Sequence, residues 1–358
     1  MTQEPTKLRD KGPLFYAPSS PVPHVFTGLF AQKGCLTQSV EEADLILVPF
    51  GFEFAVEYNE SDLEPMGFPK SHLREVKEQL TILKDLSQKT GKPLLVIHYR
   101  DAHHPFHLPN AYVFRTSVYQ SKAEPNTFGL PAFLDDENPA AGEWKPLAKG
   151  KKPYVSFRGL ATPLNPVFST LLRLGVNDFF QKCGLDFRFN AWYPEGYIVR
   201  RKAIKRLLRH PSWFETDFVV NPDKSAPHYK ADYLSAFSKY PYILCSAGHG
   251  NYSFRLYETL RAGRIPLFIN TDCILPCSDV INWKKLTVWV DEKDIPHLPG
   301  ILLDFHQSIH PDDFVALQQV IRHTYLHYLT VEGFADYLLS FFQKMFQTGF
   351  STQNESFR

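Results

Sequence analysis

Apolar and polar residues follow one another along the chain in a pattern that predicts parallel strands separated by amphipathic helices. Four apolar runs of strand length are Ala43–Pro49, Pro93–Tyr99, Tyr154–Phe157 and Tyr242–Cys245. An uninterrupted apolar run indicates a strand that is buried on both faces, which is typical of parallel sheets. Between two of these runs, Ser71–Gly91 repeats leucine and valine at the spacing of a helix. The pattern therefore predicts an α/β protein made of doubly wound units.

The length of the chain favours two such units. A chain of 358 residues is long enough for two domains of ordinary size, each with its own core. The stretch Pro125–Pro153 is rich in Pro, Gly, Ala and Lys and shows neither helical nor strand periodicity, so we interpret its end as an interdomain linker. The predicted division is a Rossmann-like domain over residues 1–150, a second one over 151–330, and an aromatic amphipathic helix with a flexible tail over 331–358.

Composition narrows the classes of protein. Lys plus Arg number 39 and Asp plus Glu number 38, a balance of +1 that gives no electrostatic case for binding nucleic acid. No apolar run approaches the ~18–20 residues that span a bilayer, so no membrane span is expected, and peripheral membrane association stays open. Five cysteines without the close paired spacing of a zinc site favour free thiols in a reducing compartment. We therefore expect a cytoplasmic protein.

The stretch after the fourth apolar run predicts a glycine turn, a helix and a further strand. Gly248, His249 and Gly250 form the turn after Ser246, and Ser253 is expected to cap the helix. A glycine turn that leads into a helix gathers free backbone N–H groups and the positive end of the helix dipole, which suits a phosphate group. An ordinary tight turn is the alternative, because the glycine spacing is not the dinucleotide fingerprint.

Two charged residues strengthen the phosphate interpretation. Arg255 and Glu258 lie three positions apart in the first turns of that helix, so both are expected on one face near the turn. An arginine can neutralise a diphosphate through two parallel hydrogen bonds, and a glutamate one turn along can accept hydrogen bonds from ribose hydroxyls. The alternative is an ion pair between the two side chains on the helix surface.

Several short motifs link this part of the chain to a known family. The motifs lie between about Tyr233 and Asp294 and are Tyr242–Cys245, Ser253–Pro266, Ile274–Pro276, Val280–Trp283 and Asp291–Pro296. On these motifs the chain resembles the exostosin family, glycosyltransferase family 47, in its nucleotide-sugar half. Weaker similarities, Ala43–Phe50 and Tyr154–Gly159, fall in the order in which the family places them.

The resemblance implies a GT-B architecture, in which two Rossmann-like domains face each other across a cleft and bind the acceptor and the donor respectively. It implies an inverting glycosyltransferase that moves a hexosyl or pentosyl group from a nucleotide sugar, expected to be a UDP-sugar, to an oligosaccharide or glycan hydroxyl in cell-surface polysaccharide or glycan synthesis. The nucleotide sugar is a substrate, so no cofactor and no metal ion are expected. By analogy with two-domain sugar transferases, the helix within 331–358 is expected to cross back to the first domain. Family members in animals and plants usually carry a membrane anchor. Because no apolar run long enough for such an anchor occurs in this sequence, we expect a soluble, bacterial-type member.

One departure from the family pattern concerns the cation near the phosphates. Many members have a Pro-Arg pair just before the glycine, where this chain has Ser246-Ala247, so another cation must replace that arginine. By resemblance, Arg158 at the end of its strand is one candidate, and its alternative role is a salt bridge that holds the linker. Arg200 and Arg201, at the start of a basic helical stretch, are two more candidates, and a solvated helix face is the alternative for both.

Sugar transfer also requires a base, because the attacking hydroxyl loses its proton. In doubly wound units the crevice lies beyond the carboxyl ends of the strands. In the first domain Glu53 follows one strand and Asp101 follows the next, and we predict Asp101 as the base with Glu53 as the second choice. The neighbouring His98, His103 and His104 also allow a metal site with Asp101, or a mobile polar loop.

A second function class stays open. A transferase fold that has lost its chemistry would be a non-catalytic carbohydrate- or nucleotide-binding partner of another transferase, and Ser246-Ala247 is the best support for it. Turnover of a donor separates the two classes. A nicotinamide-dependent enzyme is disfavoured, because the third fingerprint glycine and the acidic residue that follows it are absent.

Overall fold

The structure is a computed structural model, and it describes residues 12–18, 25–48, 70–101, 108–134, 144–161 and 195–347. Its elements in chain order are β1 (Phe15–Tyr16), α1 (Val25–Gln32), β2 (Leu36–Thr37), β3 (Leu45–Leu47), α2 (Lys70–Thr90), β4 (Leu94–His98), β5 (Ala111–Arg115), β6 (Thr127–Gly129), β7 (Tyr154–Gly159), α3 (Glu195–Leu208), β8 (Glu215–Val220), α4 (Tyr229–Lys239), β9 (Tyr242–Ser246), α5 (Phe254–Arg261), β10 (Ile265–Asn270), α6 (Trp283–Leu286), β11 (Val288–Asp291), α7 (Leu298–Ser308), α8 (Pro311–Thr324) and α9 (Val331–Gln347). Short 3₁₀ helices cover Gln120–Lys122 and Glu292–His297, and a π-helical turn covers Tyr325–Leu329.

These elements form two compact units. Unit 1 contains Met1–Pro131, Ile274–Cys277 and His327–Arg358, and unit 2 contains Ala132–Cys273 and Ser278–Leu326. Each unit has its own sheet of parallel strands, so the expected α/β fold of two Rossmann-like units is confirmed. In the part of the chain that the structure describes, no helix is both long and apolar enough to cross a bilayer.

Unit 1 is built on six parallel strands in the order β2-β1-β3-β4-β5-β6. On one face of the sheet, Leu80 and Leu83 of α2 pack with Val113 of β5. On the other face, Phe114 of β5 packs edge to face with Phe342 of α9, at 6.3 Å between ring centroids. Consecutive residues of a strand point to opposite faces, so one strand supplies both layers of the core. Each such buried side chain contributes about 1.5–3 kcal/mol of burial free energy.

Unit 2 contains five parallel strands in the order β11-β10-β9-β7-β8. The chain starts in the middle of this sheet at β7, adds β8 on one side, and then returns to the other side with β9, β10 and β11. The direction of strand addition therefore reverses between β7 and β9. In open parallel sheets, ligands bind beyond the carboxyl ends of the two strands at such a reversal. The carboxyl ends of β7 and β9 are thus the place to look for a site.

Helices α3 and α5 cover opposite faces of this sheet. Arg200 of α3 donates from Nε to Ser246 Oγ at 3.3 Å, whereas Thr259 Oγ1 of α5 lies 3.4 Å from Cys245 Sγ. Because Cys245 and Ser246 are consecutive in β9, their side chains point to opposite faces. Side chains from α3 and α5 can therefore reach the same strand ends from two directions.

The stretch Pro125–Pro153 differs in part from its predicted irregular structure. It contains β6, a strand of three residues. Its end is fastened to unit 2, because Trp144 Nε1 donates to the carbonyl oxygen of Ala262 at 2.8 Å and Lys149 Nζ donates to a carbonyl oxygen just after α7 at 2.7 Å. Contacts therefore divide the chain after Pro131, whereas the predicted division falls at residue 150.

Candidate functional site

A single guanidinium group ties the carboxyl ends of β7 and β9 together. Arg200 donates from Nε to Ser246 Oγ at 3.3 Å, from Nη1 to the carbonyl oxygen of Leu160 at 3.0 Å, and from Nη2 to that of Ala247 at 2.8 Å. Its side chain is only 8% exposed. The structure thus places a buried cation against residue 247, the position where many family members carry arginine.

Burial and a second arginine act on the charge of Arg200. Burial first, and then the nearby positive charge of Arg255, lower the pKa of Arg200 to about 10. The guanidinium therefore stays protonated at neutral pH, although it is desolvated and close to a like charge. Among the described residues no carboxylate forms a salt bridge with it.

Helix α3 can approach the turn after β9 because its second residue is glycine. A Cβ atom added at Gly196 would lie 2.1 Å from the carbonyl oxygen of Ala247 and 2.8 Å from that of Gly248. Any side chain at this position would push the start of α3 away from the glycine turn that follows β9. Gly196 was not among the predicted site residues, since a glycine at a helix start carries no distinctive signal in the sequence.

Arg255 reaches the same strand ends from the opposite face of the sheet. Its Nη2 donates to the carbonyl oxygen of Arg158 at 2.6 Å, and its guanidinium carbon lies 4.5 Å from the centroid of the Phe157 ring. A Cβ atom at Gly159 would lie 2.6 Å from Arg255 Nη2, so this glycine makes room for the arginine. The half-buried guanidinium makes no other hydrogen bond within the described residues. Its remaining N–H donors are available to a ligand.

Glu258 takes its hydrogen bond from a residue outside the predicted set. The hydroxyl of Tyr233, on α4, donates to Glu258 Oε2, and the Arg255 guanidinium lies over the Tyr233 ring at 5.8 Å from its centroid. Burial raises the pKa of Glu258, while the hydrogen bond from Tyr233 and the charge of Arg255 oppose that rise. The surface ion pair that the spacing of Arg255 and Glu258 also allowed is not formed.

The glycine turn supplies fewer free amides than the sequence predicts. The Gly248 amide donates to the carbonyl oxygen of Tyr252 at 2.7 Å, so it is not available to a ligand. The amides of His249 and Gly250 have no acceptor among the described residues. His249 is exposed, and its ring lies perpendicular to that of Tyr197 at 6.0 Å.

The start of α5 corrects a second expectation. Ser253 is the N-cap residue of α5 and has extended backbone angles, but its side chain makes no capping hydrogen bond. The amides of Phe254 and Arg255, in the first turn, also have no acceptor among the described residues. The amides of Phe254 and Arg255 and the Ser253 hydroxyl thus keep unused hydrogen-bonding capacity at the start of α5.

The two remaining candidate cations are placed differently. The Arg158 side chain forms a salt bridge to Asp217 at 2.5 Å and donates to Ser156 Oγ at 3.2 Å, so it joins β7 to β8 and does not hold the linker. Burial raises the pKa of Asp217, but hydrogen bonds from Arg158 and Tyr240 outweigh it and keep the pKa low. Arg158 contributes its carbonyl oxygen to the site. Arg201 is half-buried on α3, and no hydrogen bond or salt bridge joins it to the turn among the described residues.

The first predicted base, Asp101, belongs to unit 1. Asp101 is exposed just after β4, whereas Glu53, His103 and His104 lie outside the described residues. His98 is fully buried within β4, so it is part of the sheet and not of the loop that follows. Within the described residues no group of three or more His, Cys, Asp or Glu side chains could hold a metal ion. The choice between Asp101 and Glu53 stays a prediction.

A known protein family matches the part of the chain that contains the candidate site. The fold of unit 2 is a parallel α/β fold, and its candidate site lies where the direction of strand addition reverses, between β7 and β9. Residues 185–305, which include α3, the glycine turn and α5, match the Exostosin GT47 domain. This match confirms, over these residues, the resemblance seen in the sequence.

Plant proteins are among its curated relatives. A probable glycosyltransferase of Arabidopsis thaliana is 33% identical over 117 residues, which cover 33% of this chain and 24% of that protein. Probable β-1,4-xylosyltransferase IRX10L of the same plant is 36% identical over 130 residues, covering 36% of this chain and 28% of that protein. Probable glucuronosyltransferase 47 A of Physcomitrium patens is 40% identical over 111 residues, covering 30% and 23%. The matches span less than a third of each relative, and they give no support to a bacterial-type chain.

Proposed function

We propose that this chain is a glycosyltransferase that binds a nucleotide sugar at the carboxyl ends of β7 and β9 in unit 2. The observation that carries the proposal is the convergence of Arg200 and Arg255 on these strand ends from opposite faces of the sheet. The two guanidinium groups are close enough to affect each other, and among the described residues neither of them forms a salt bridge with a carboxylate, although Glu258 lies near Arg255. A diphosphate would neutralise this local positive charge and use the free donors of Arg255.

The same groups suit the chemistry of sugar transfer. As the acceptor oxygen bonds to the anomeric carbon, the bond from that carbon to the diphosphate oxygen breaks, and its electron pair leaves with the diphosphate. Arg255, the amides of His249 and Gly250 and the start of α5 would stabilise the charge that develops there. The hydroxyl proton would pass to a base, for which Asp101 and then Glu53 are proposed. In this proposal the reaction inverts the anomeric centre and needs no metal ion.

The identity of the donor and the acceptor is proposed from the family. The relatives are named as probable xylosyl- and glucuronosyltransferases, so we propose a pentosyl or hexosyl group as the transferred sugar. UDP as the nucleotide rests on the exostosin resemblance. The acceptor is proposed to be a glycan hydroxyl in cell-surface polysaccharide or glycan synthesis, bound by the first domain of a GT-B arrangement.

A non-catalytic nucleotide-binding partner is the second candidate. It is favoured by Ser246-Ala247 in place of Pro-Arg and by the use of the Gly248 amide inside the turn. Such a protein would bind UDP but would not turn over any donor.

A screen of UDP-sugars for release of free UDP, with and without oligosaccharide acceptors, tests the proposal on the purified full chain. Thermal shift with UDP is measured in parallel. Release with one class of donor supports the transferase, and the Asp101→Asn variant should then keep the thermal shift and lose release. A thermal shift without release supports the binding partner. If no donor gives UDP release and UDP gives no thermal shift, both the transferase and the binding partner are contradicted.

A further inference from the structure

Tyr233 contacts two charged side chains of α5, Arg255 and Glu258. It lies on α4, 25 residues before Glu258, and its hydroxyl donates to Glu258 Oε2. Its ring lies under the Arg255 guanidinium and packs edge to face with Phe237 of the same helix at 5.4 Å between centroids. One residue therefore holds a carboxylate by its hydroxyl and supports a cation by its ring.

This arrangement restricts Glu258 in a useful way. A free glutamate samples several rotamers, and holding one of them costs side-chain entropy of up to about 2 kcal/mol. The hydroxyl of Tyr233 occupies one lone pair of Oε2, which leaves Oε1 and the other lone pair of Oε2 as acceptors. Two hydroxyl groups on neighbouring carbons, as in a ribose ring, match that pair of acceptors.

We propose that Tyr233 is a positioning residue of the donor site: its hydroxyl orients Glu258 toward the ribose hydroxyls of the nucleotide, and its ring supports Arg255. This proposal rests on the proposed function. Tyr233 itself does not touch the substrate. It acts through Glu258 and Arg255.

The charges around Glu258 indicate how the contact can be measured. The groups that affect its carboxylate are Arg255 and Arg261 on its own helix and Tyr233 on α4, while Cys245 of β9 also lies near. Burial raises the pKa of the Cys245 thiol to about 12, so this residue is neutral. Burial also raises the pKa of Tyr233, which therefore remains a hydrogen-bond donor at neutral pH. Removing its hydroxyl takes away a group that favours the carboxylate form of Glu258.

The first test is the pKa of Glu258, measured by carbon NMR on the full chain labelled at its glutamate carboxyl carbons and assigned by loss of the signal in Glu258→Gln. Tyr233→Phe keeps the ring and should raise this pKa by about one unit. Tyr229→Phe is the matched control, since its ring lies one helical turn away at 6.2 Å from Tyr233 and its hydroxyl makes no hydrogen bond among the described residues. An unchanged Glu258 pKa in Tyr233→Phe overturns the proposal.

The second test compares UDP with 2′,3′-dideoxy-UDP by calorimetry. The wild-type chain should prefer UDP, and Tyr233→Phe should reduce that preference about fivefold while Tyr229→Phe keeps it. If Tyr233 had a purely structural role, Tyr233→Phe would weaken the binding of both nucleotides equally. That result would overturn the positioning role of Tyr233 and leave the proposed function intact. If the wild-type chain binds neither nucleotide, the proposed function fails, and the NMR result still decides whether Tyr233 controls Glu258.

Discussion

Arg200 and Arg255 differ in how many of their hydrogen-bond donors the protein itself uses. Arg200 is buried and directs three donors to Ser246, Leu160 and Ala247. Arg255 is half-buried and directs one donor to the carbonyl oxygen of Arg158. Arg200 therefore holds the two strand ends together and adds a buried positive charge, whereas Arg255 presents its free donors to a ligand.

The role of Arg200 predicts a loss of stability when it is truncated. Arg200→Ala leaves three acceptors without their donor, so we expect the free energy of unfolding to fall by about 2–4 kcal/mol. Urea unfolding followed by circular dichroism measures this. Arg201→Ala, one position along the same helix, should change stability by less than about 0.5 kcal/mol. Equal losses in the two variants would mean that the guanidinium of Arg200 is not the tie between β7 and β9.

Residue-level features were predictable from the sequence where they depend on near neighbours. The spacing of Arg255 and Glu258 predicted both on one face. The missing arginine at position 247 led to three candidate cations, Arg158, Arg200 and Arg201, and the structure places Arg200 against that residue. Tyr233 was not predicted, because its partner lies on another helix and the pairing depends on how α4 and α5 pack. The use of the Gly248 amide was missed for a different reason, since it depends on the exact path of the turn.

Among the elements, α3 and α5 are the ones that deliver the cations. Each comes close to the backbone of a strand end, and in each case a glycine removes the atom that would prevent the approach. Gly196 admits α3 to the turn after β9, and Gly159 admits the Arg255 side chain to the end of β7. The site therefore requires two glycines that allow close contact with the strand ends, in addition to the positive charges of the two arginines.

Gly196→Ala tests this condition. The added Cβ would overlap the carbonyl oxygen of Ala247, so α3 must shift and Arg200 must lose contacts. We expect a loss of about 1–3 kcal/mol in the free energy of unfolding. Gly300→Ala in α7 is the control, because nothing lies within 4 Å of its added Cβ and alanine favours a helix. A Gly196 variant as stable as the Gly300 variant would contradict the close contact.

The strands were the most predictable elements. The runs that became β3, β4, β7 and β9 are apolar throughout or nearly so, which is the pattern that burial on both faces imposes. The short strand β6 was missed, because three residues inside a proline-rich stretch carry no periodic signal. Helix α3 was predicted as a basic helical stretch that starts near Arg200, and it covers Glu195–Leu208, since the start of a helix depends on contacts as well as on caps.

On the scale of the whole molecule, the segment before β7 belongs to unit 2. His306 of α7 lies between this segment and the core, with Nε2 donating to the carbonyl oxygen of Gly150 at 3.0 Å and Nδ1 accepting from the Tyr242 hydroxyl at 2.9 Å. This pattern requires the neutral ring, because a protonated Nδ1 cannot accept. The sequence could not predict it, since the three residues are far apart along the chain.

His306 therefore predicts a pH dependence of stability. Burial lowers the pKa of His306 below its ordinary value, the hydrogen bond to Gly150 opposes this, and Lys149 lowers the pKa further. The pKa of histidine in an unfolded chain is about 6.5. The contribution of the neutral ring is complete above that pH and is lost as pH falls through the lower pKa of the folded state.

Urea unfolding at pH 7.5 and at pH 5 measures this effect. The free energy of unfolding should fall on acidification, and it should fall less in His306→Gln, whose amide can replace both hydrogen bonds without titrating. An equal fall in both proteins would show that other groups cause the acid sensitivity.

The central claim is that the carboxyl ends of β7 and β9 bind the diphosphate of a nucleotide sugar, and calorimetric titration of the full chain with UDP, UMP and uridine tests it most directly. We expect UDP to bind at least about tenfold more tightly than UMP, because charge-assisted hydrogen bonds to a second phosphate are worth about 1.5–3 kcal/mol. Arg255→Ala should remove most of this advantage, while Arg209→Ala, an exposed arginine just after α3, should retain it. No saturable binding of UDP, or an advantage over UMP that survives the loss of Arg255, would contradict the account.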